Sequence, residues 1–267
     1  MTYSSSITIE NNEMDGNQSI EEGINSILEN TNLEDSNIFI YKHQLIPLYN
    51  YRKKFIDTSF QKLKEDGFIR LLRSPSSGTN EIVFVKNIDY VDSFHNLYIK
   101  EKLVLINESK KNKEEKEEVN INNPFLLFYN YLLESLKNND NNSSMSSIRY
   151  DDLIKVLCNK SNIMDLKKSG FLLEGAASSS ICKVYWFSHP NLSKFTLKMK
   201  KSREFIIKYM KRHKNKSISI HNFNVKGAVA NATTFPYGKL YHFHDWFGKG
   251  LIPTRVSGVE RISQMIT

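Results

Sequence analysis

Leu63-Lys64-Glu65-Asp66-Gly67-Phe68-Ile69-Arg70 has an echo later in the chain, Leu166-Lys167-Lys168-Ser169-Gly170-Phe171-Leu172-Leu173. In each copy, helix-forming residues run into a glycine, and apolar residues follow. A glycine at that point suits a left-handed helix cap. A Ser/Gly-rich turn and a second apolar run come next: Arg73–Asn80 (RSPSSGTN) then Ile82–Val85 (IVFV), and Gly175–Ser180 (GAASSS) then Lys183–Phe187 (KVYWF). These read as strand, turn and return strand. A third, weaker copy is Trp246–Ile252 (WFGKGLI), followed by Ser257-Gly258 and Val259–Ile262.

Helices are expected upstream of each copy. Ser19-Ile20-Glu21-Glu22 is a capping-box pattern opening a helix with Ile20, Ile24, Ile27 and Leu28 on one side. A short helix is expected over Ile38–Leu48, and another from about Arg52 to Asp66 with Phe55, Ile56, Phe60 and Leu63 inward. Phe125–Leu136, Tyr150–Leu157 and Ile163–Ser169 supply the same series for the second copy. Three helices followed by a hairpin is the winged-helix order. The expected fold is therefore α+β, mainly helical, with three tandem winged-helix domains; the alternative is an α+β domain with unrelated hairpins.

The domain divisions follow from composition. Residues 1–18 form a polar, disordered acidic leader, and 19–105 the first domain. Residues 106–122 are a charged linker containing Asn107–Asn120 (NESKKNKEEKEEVN). The second domain is 123–190, with an Asn/Ser loop at Asn138–Ser147, and the third is 191–267. His189-Pro190 leads directly into the third domain, so the last two domains are expected to pack rigidly together.

Charge is unevenly spread. The net charge of the 267 residues is +8, yet residues 1–36 hold eight acids and no Lys or Arg. The rest therefore carries all 37 basic residues against 21 acids. The densest segment is Asn191–Lys216, with ten cations (Lys194, Lys198, Lys200, Lys201, Arg203, Lys208, Lys211, Arg212, Lys214, Lys216) and Glu204 as its one acid. From about Lys201 the apolar pairs Phe205/Tyr209 and Ile206/Met210 repeat at helical spacing, and most cations fall off that face. A solvated helix surface usually mixes signs, because like charges at this spacing repel. The segment reads as a polyanion-binding helix, with a plain solubilising face or a nuclear-import signal at Lys211–Lys214 as the other readings.

Several chemistries find no support. Two cysteines, Cys158 and Cys182, make no disulfide framework, and no Cys/His cluster has zinc spacing. His242-Phe243-His244-Asp245 reads as a partly buried helix with a capping Asp or His, since its two histidines point to different sides. Kinase parts are missing: no glycine-rich phosphate loop, V-A-I-K lysine, H-R-D loop or D-F-G metal ligand. No catalytic residue, metal or cofactor is expected. No secretory signal or apolar run of membrane length is present, so a nuclear or cytosolic protein without a membrane partner is expected.

Leu240–Gly250 (LYHFHDWFGKG), Phe195–Arg212 and the HQLIP…FQKLKEDGFIR stretch at His43–Arg70 resemble the serine/threonine-protein kinase 19 family. The likeness runs collinearly from Ser19 to the C-terminus, apart from the charged linker; an inserted loop at Gly227–Thr234 departs from it. The family name implies a kinase. The resemblance otherwise implies a tandem winged-helix protein of the nucleus that binds DNA and works with proteins of transcription-coupled repair. Carried onto this chain, the basic positions are Lys200, Lys201, Arg203, Lys211, Arg212 and Lys214. The main expectation is a non-enzymatic nuclear DNA-binding protein, with RNA as a second polyanion. A protein–protein scaffold with secondary nucleic-acid binding is the alternative, and a protein kinase the third.

Overall fold

The computed structural model describes residues 19–29, 31, 39–49, 52–74, 82–112, 123–137, 146–175, 183–212, 217–219, 235–252, 254–257 and 260–264. For 101–112, 217–219, 254–257 and 260–264 only the backbone is described. Among these residues the protein is α+β and mostly helical. Two full series of elements and a third, described in part, follow one order. The first is α1 (Ile20–Glu29), β1 (Ile40–Tyr41), a 3-10 turn (Lys42–Leu45), α2 (Lys53–Glu65), β2 (Ile69–Arg73) and β3 (Ile82–Lys86), after which α3 (Asn87–Asn112) follows. The second is α4 (Pro124–Lys137), β4 (Ser147–Arg149), α5 (Tyr150–Leu157), α6 (Lys160–Lys168), β5 (Leu172–Glu174) and β6 (Val184–Phe187). The third is α7 (Leu192–Arg212), β7 (Ser217–Ser219), α8 (Lys239–Gly248), β8 (Thr254–Ser257) and β9 (Glu260–Gln264).

Each series closes a three-stranded antiparallel sheet in which the last strand lies between the other two, in the orders β1-β3-β2, β4-β6-β5 and β7-β9-β8. Hairpin registers pair Ile69 with Lys86, Leu172 with Phe187 and Thr254 with Ser263.

The quoted glycines produce these hairpins by one local device. Gly67, Gly170 and Gly250 have φ of 70°, 86° and 73°. In each case the glycine N–H and the next N–H turn back onto the last helical turn. Phe68 N–H donates to the Leu63 carbonyl (2.9 Å), Phe171 to Leu166 (3.0 Å) and Leu251 to Trp246 (2.9 Å). The glycine N–H groups donate to Lys64, Lys167 and Phe247. This pattern satisfies orphan carbonyls at the helix end and brings an apolar residue back against the helix.

Three expectations change. The helix expected over Ile38–Leu48 is not found in its described part, 39–48: Ile40 pairs with Phe84, the Gln44 side chain accepts from the Tyr41 N–H (2.8 Å), and only a 3-10 turn follows. Pro47 stands just where a longer helix would need another N–H donor. Phe55 is 36 % exposed, against the Tyr49 ring rather than in the core; Ile56, Phe60 and Leu63 are buried as expected. The start of the charged linker is helical, since α3 continues to Asn112 with no Gly or Pro to stop it; residues 113–120 lie outside the described set. The basic helix, expected to follow His189-Pro190 directly, spans Leu192–Arg212, and its buried stripe reaches back beyond the apolar pairs noted from Lys201: Leu192, Phe195, Met199, Ser202, Ile206 and Met210 share one face.

One apolar core joins the first two series and the start of the third, from Ile20 to Tyr241. Phe94 of α3 stacks on Phe171 with ring centres 3.9 Å apart and meets Phe128 of α4 edge-on at 5.2 Å. Arg70 of β2 is fully buried where the series meet, donating to the Asn87 side chain (2.8 Å) with its guanidinium over the Phe187 ring. Burial lowers its pKa to about 10, which still leaves it charged at neutral pH. A second core, Ile206, Met210, Phe235, Phe243, Trp246 and Ile252, holds α7 against α8.

Candidate nucleic-acid interface

Helix α7 separates apolar from charged residues. Its buried stripe faces α8 and the main core. On the other side Lys194, Lys198, Lys200, Lys201, Lys208, Lys211 and Arg212 are exposed. At helical spacing, Lys194, Lys198, Lys201, Lys208 and Arg212 fall in a stripe about 80° wide and about 27 Å long. Leu197, 53 % exposed, and Glu204 also face outward. Phe205 and Tyr209 are half-buried along the edge, their rings stacked 5.9 Å apart. The Lys198 ammonium also lies 5.4 Å from the Tyr237 ring centre. Lys214 and Lys216 lie outside the described residues, as does the Gly227–Thr234 loop. This face can neutralise a row of anions. Its described outward side chains offer no Asn or Gln amide beyond Asn191 for the bidentate reading of adenine; its Lys and Arg groups suit phosphates and, among base edges, guanine.

Arg203 is the exception among the cations. Its side chain is 11 % exposed and turns inward to Asp245 of α8, with Nε donating to Oδ2 at 2.8 Å and Nη2 to Oδ1 at 2.7 Å. The guanidinium also lies over the Tyr41 ring, 4.7 Å from its centre. His43 Nε2 lies 2.7 Å from the same Asp245 Oδ1. Asp245 itself is fully buried. Burial opposes its charged form, but the hydrogen bonds from Arg203 and His43, and the Arg203 charge, hold its carboxyl at about 2. Arg203 is therefore committed within the protein.

Asp245 is not a helix cap, and α8 is buried more deeply than its sequence implied. Tyr241, His242, Phe243, Asp245 and Trp246 are all buried. Neither ring nitrogen of His242 has a hydrogen-bond partner among the described residues, and burial pushes its pKa down to about 4. Nothing local in the sequence pointed to His43. Its partner Asp245 is 202 positions away, and the one available signal was a lone acid inside an aromatic helix.

The other helices that precede a cap glycine face outward. On α2, Lys53, Lys54, Thr58, Gln61 and Lys62 are exposed. On α6, Lys160, Ser161, Met164 and Lys168 are exposed, and ion pairs join Lys168 to Asp165 (3.9 Å) and Lys167 to Glu174 (2.7 Å).

A family model described as inactive serine-threonine protein kinase 19 matches residues 19–263. Among curated proteins there is no match. The word "inactive" agrees with the missing phosphate loop and metal ligands, and indicates a non-enzyme.

Proposed function

The chain belongs to the inactive serine-threonine protein kinase 19 family, and on that premise we propose that it is a nuclear, non-enzymatic DNA-binding protein built of three winged-helix repeats. The thrice-repeated order of helices, glycine cap and hairpin, with the last strand central in each sheet, supports the repeat reading. The observation that carries the function is α7: one buried apolar stripe and, opposite it, seven exposed cations with a single outward acid. Such a row gains affinity by releasing counterions from a phosphate backbone. It fixes position without reading sequence. Work alongside proteins of transcription-coupled repair is what the family resemblance adds to this proposal.

The test is a titration of the full chain with unrelated duplexes across a salt series. Affinities should be similar for all sequences, with a log–log slope of about −6 if all seven cations each meet a phosphate. Binding that ignores salt, or that is confined to one sequence, contradicts the reading. A parallel assay with magnesium-ATP should show no phosphate transfer above a contamination blank, because the ligands for metal and nucleotide are missing.

A second reading has its own observation. The charges around α6 are of mixed sign: Lys168 pairs with Asp165 on the same helix and Lys167 with Glu174 of β5, whereas the described outward face of α7 has one acid among seven cations. A mixed-sign face suits a protein partner better than a polyanion, so the middle repeat is the place for scaffold contacts.

A further inference from the structure

Helix α8 occupies the place in its repeat that α2 and α6 occupy in theirs, directly before the cap glycine. In a repeat that reads a groove, this is the helix that would enter it. Here it lies against the N-terminal repeat. Gln44 Nε2 donates to the Tyr241 carbonyl at 3.1 Å, and the Tyr241 hydroxyl donates to the Phe39 carbonyl. At Gly248 the approach is so close that a Cβ would run into the His43 carbonyl. Asp245 sits in the middle, gripped by His43 of the first repeat and Arg203 of α7. A single carboxylate thus joins three elements that are distant in sequence.

We propose that Asp245 is a positioning residue: with His43 and Arg203 it clasps α8 to the N-terminal repeat, so that α8 is withdrawn from nucleic acid and the C-terminal repeat makes its contact through the cationic face of α7. This rests on the nucleic-acid reading for its last clause only. The clasp itself makes a prediction in the absence of any ligand. A bidentate Arg–carboxylate fork fixes direction as well as distance, and a buried one cannot lose a partner cheaply.

The experiment is amide hydrogen exchange on the full chain, wild type against Asp245→Asn. In the variant, exchange in α8 and in Lys42–Leu45 should rise by roughly tenfold or more, as expected for a local opening. Exchange in α5 and α6 should not change. Gly248→Ala attacks the same interface by bulk rather than charge and should give the same map. Arg203→Lys keeps the charge but loses the fork, and should fall between wild type and Asp245→Asn. Unchanged exchange in α8 overturns the clasp. So does a rise that is equal in α5 and α6, because the residue would then serve global stability only.

The nucleic-acid clause is tested with Trp186→Phe, which leaves Trp246 as the single tryptophan. Acrylamide quenching of Trp246 should be low and should stay the same when saturating duplex is added. A change on binding would put α8 at the nucleic acid and overturn the assignment. Absence of duplex binding would refute the proposed function, while the exchange result would still decide the clasp.

Discussion

Helices α7 and α8 pack side by side and use charge in opposite ways. Seven cations of α7 point to solvent, and only Arg203 turns in. Both His242 and Asp245 of α8 are buried, the first neutral against aromatic rings and the second ionised within a hydrogen-bonded grip. The difference shows that charge density and charge importance are separate quantities. An exposed lysine adds little to stability, but many in a row create a field. A single buried carboxylate, its charge matched by Arg203, adds little to the field and orients three elements.

Substitutions should separate the two helices sharply. The largest stability loss belongs to Trp246→Ala, which empties the centre of the core between α7 and α8. We expect a loss of about 3–5 kcal/mol in urea unfolding. A loss under about 1 kcal/mol would mean that α8 is not a core element.

His242 should give the next effect. Its folded pKa of about 4 lies below the ordinary 6.5, so between those values the unfolded chain binds the extra proton. Its neutral burial therefore favours the fold fully above pH 6.5, and that advantage is lost as the pH falls toward 4, at a cost of about 3 kcal/mol. His242→Gln should flatten stability against pH over this window; His189, also lowered to about 4 by burial, will keep part of the slope.

Asp245 acts in a lower window. Its folded pKa is depressed from 3.8 to about 2, so its contribution is present above pH 4 and lost as the pH falls through 2. The wild type should lose about 2 kcal/mol across that range, and Asp245→Asn should lack this component. An identical acid profile in the two proteins would contradict the grip on the carboxylate. At the small end, alanine at Lys194, Lys201 or Lys208 should each change stability by no more than about 0.5 kcal/mol.

These contrasts also mark what a sequence can reveal here. The glycine caps were legible because their hydrogen bonds close within six residues, as between Leu63 and Phe68. The cations of α7 were legible as composition and its place after Pro190 was expected, but the full buried stripe back to Leu192 was harder to see because lysines and Ser202 interrupt the apolar spacing. Strand β1 was misread as helix: it has two residues, and its partner Phe84 lies across the whole first repeat. The clasp was out of reach, because each of its members has an ordinary local role and only the fold brings them together.

The central claim, that α7 presents its cations to a phosphate backbone, meets its most direct test in one variant. Lys194, Lys198, Lys201, Lys208 and Arg212 are replaced by alanine together, leaving the buried stripe and Arg203 intact. Circular dichroism should match the wild type. The slope of log affinity for duplex DNA against log salt should become shallower by about 4–5, from the loss of five phosphate contacts, and by the same amount for unrelated sequences. A folded variant with the wild-type slope would contradict the account and assign the face of α7 to something other than nucleic acid.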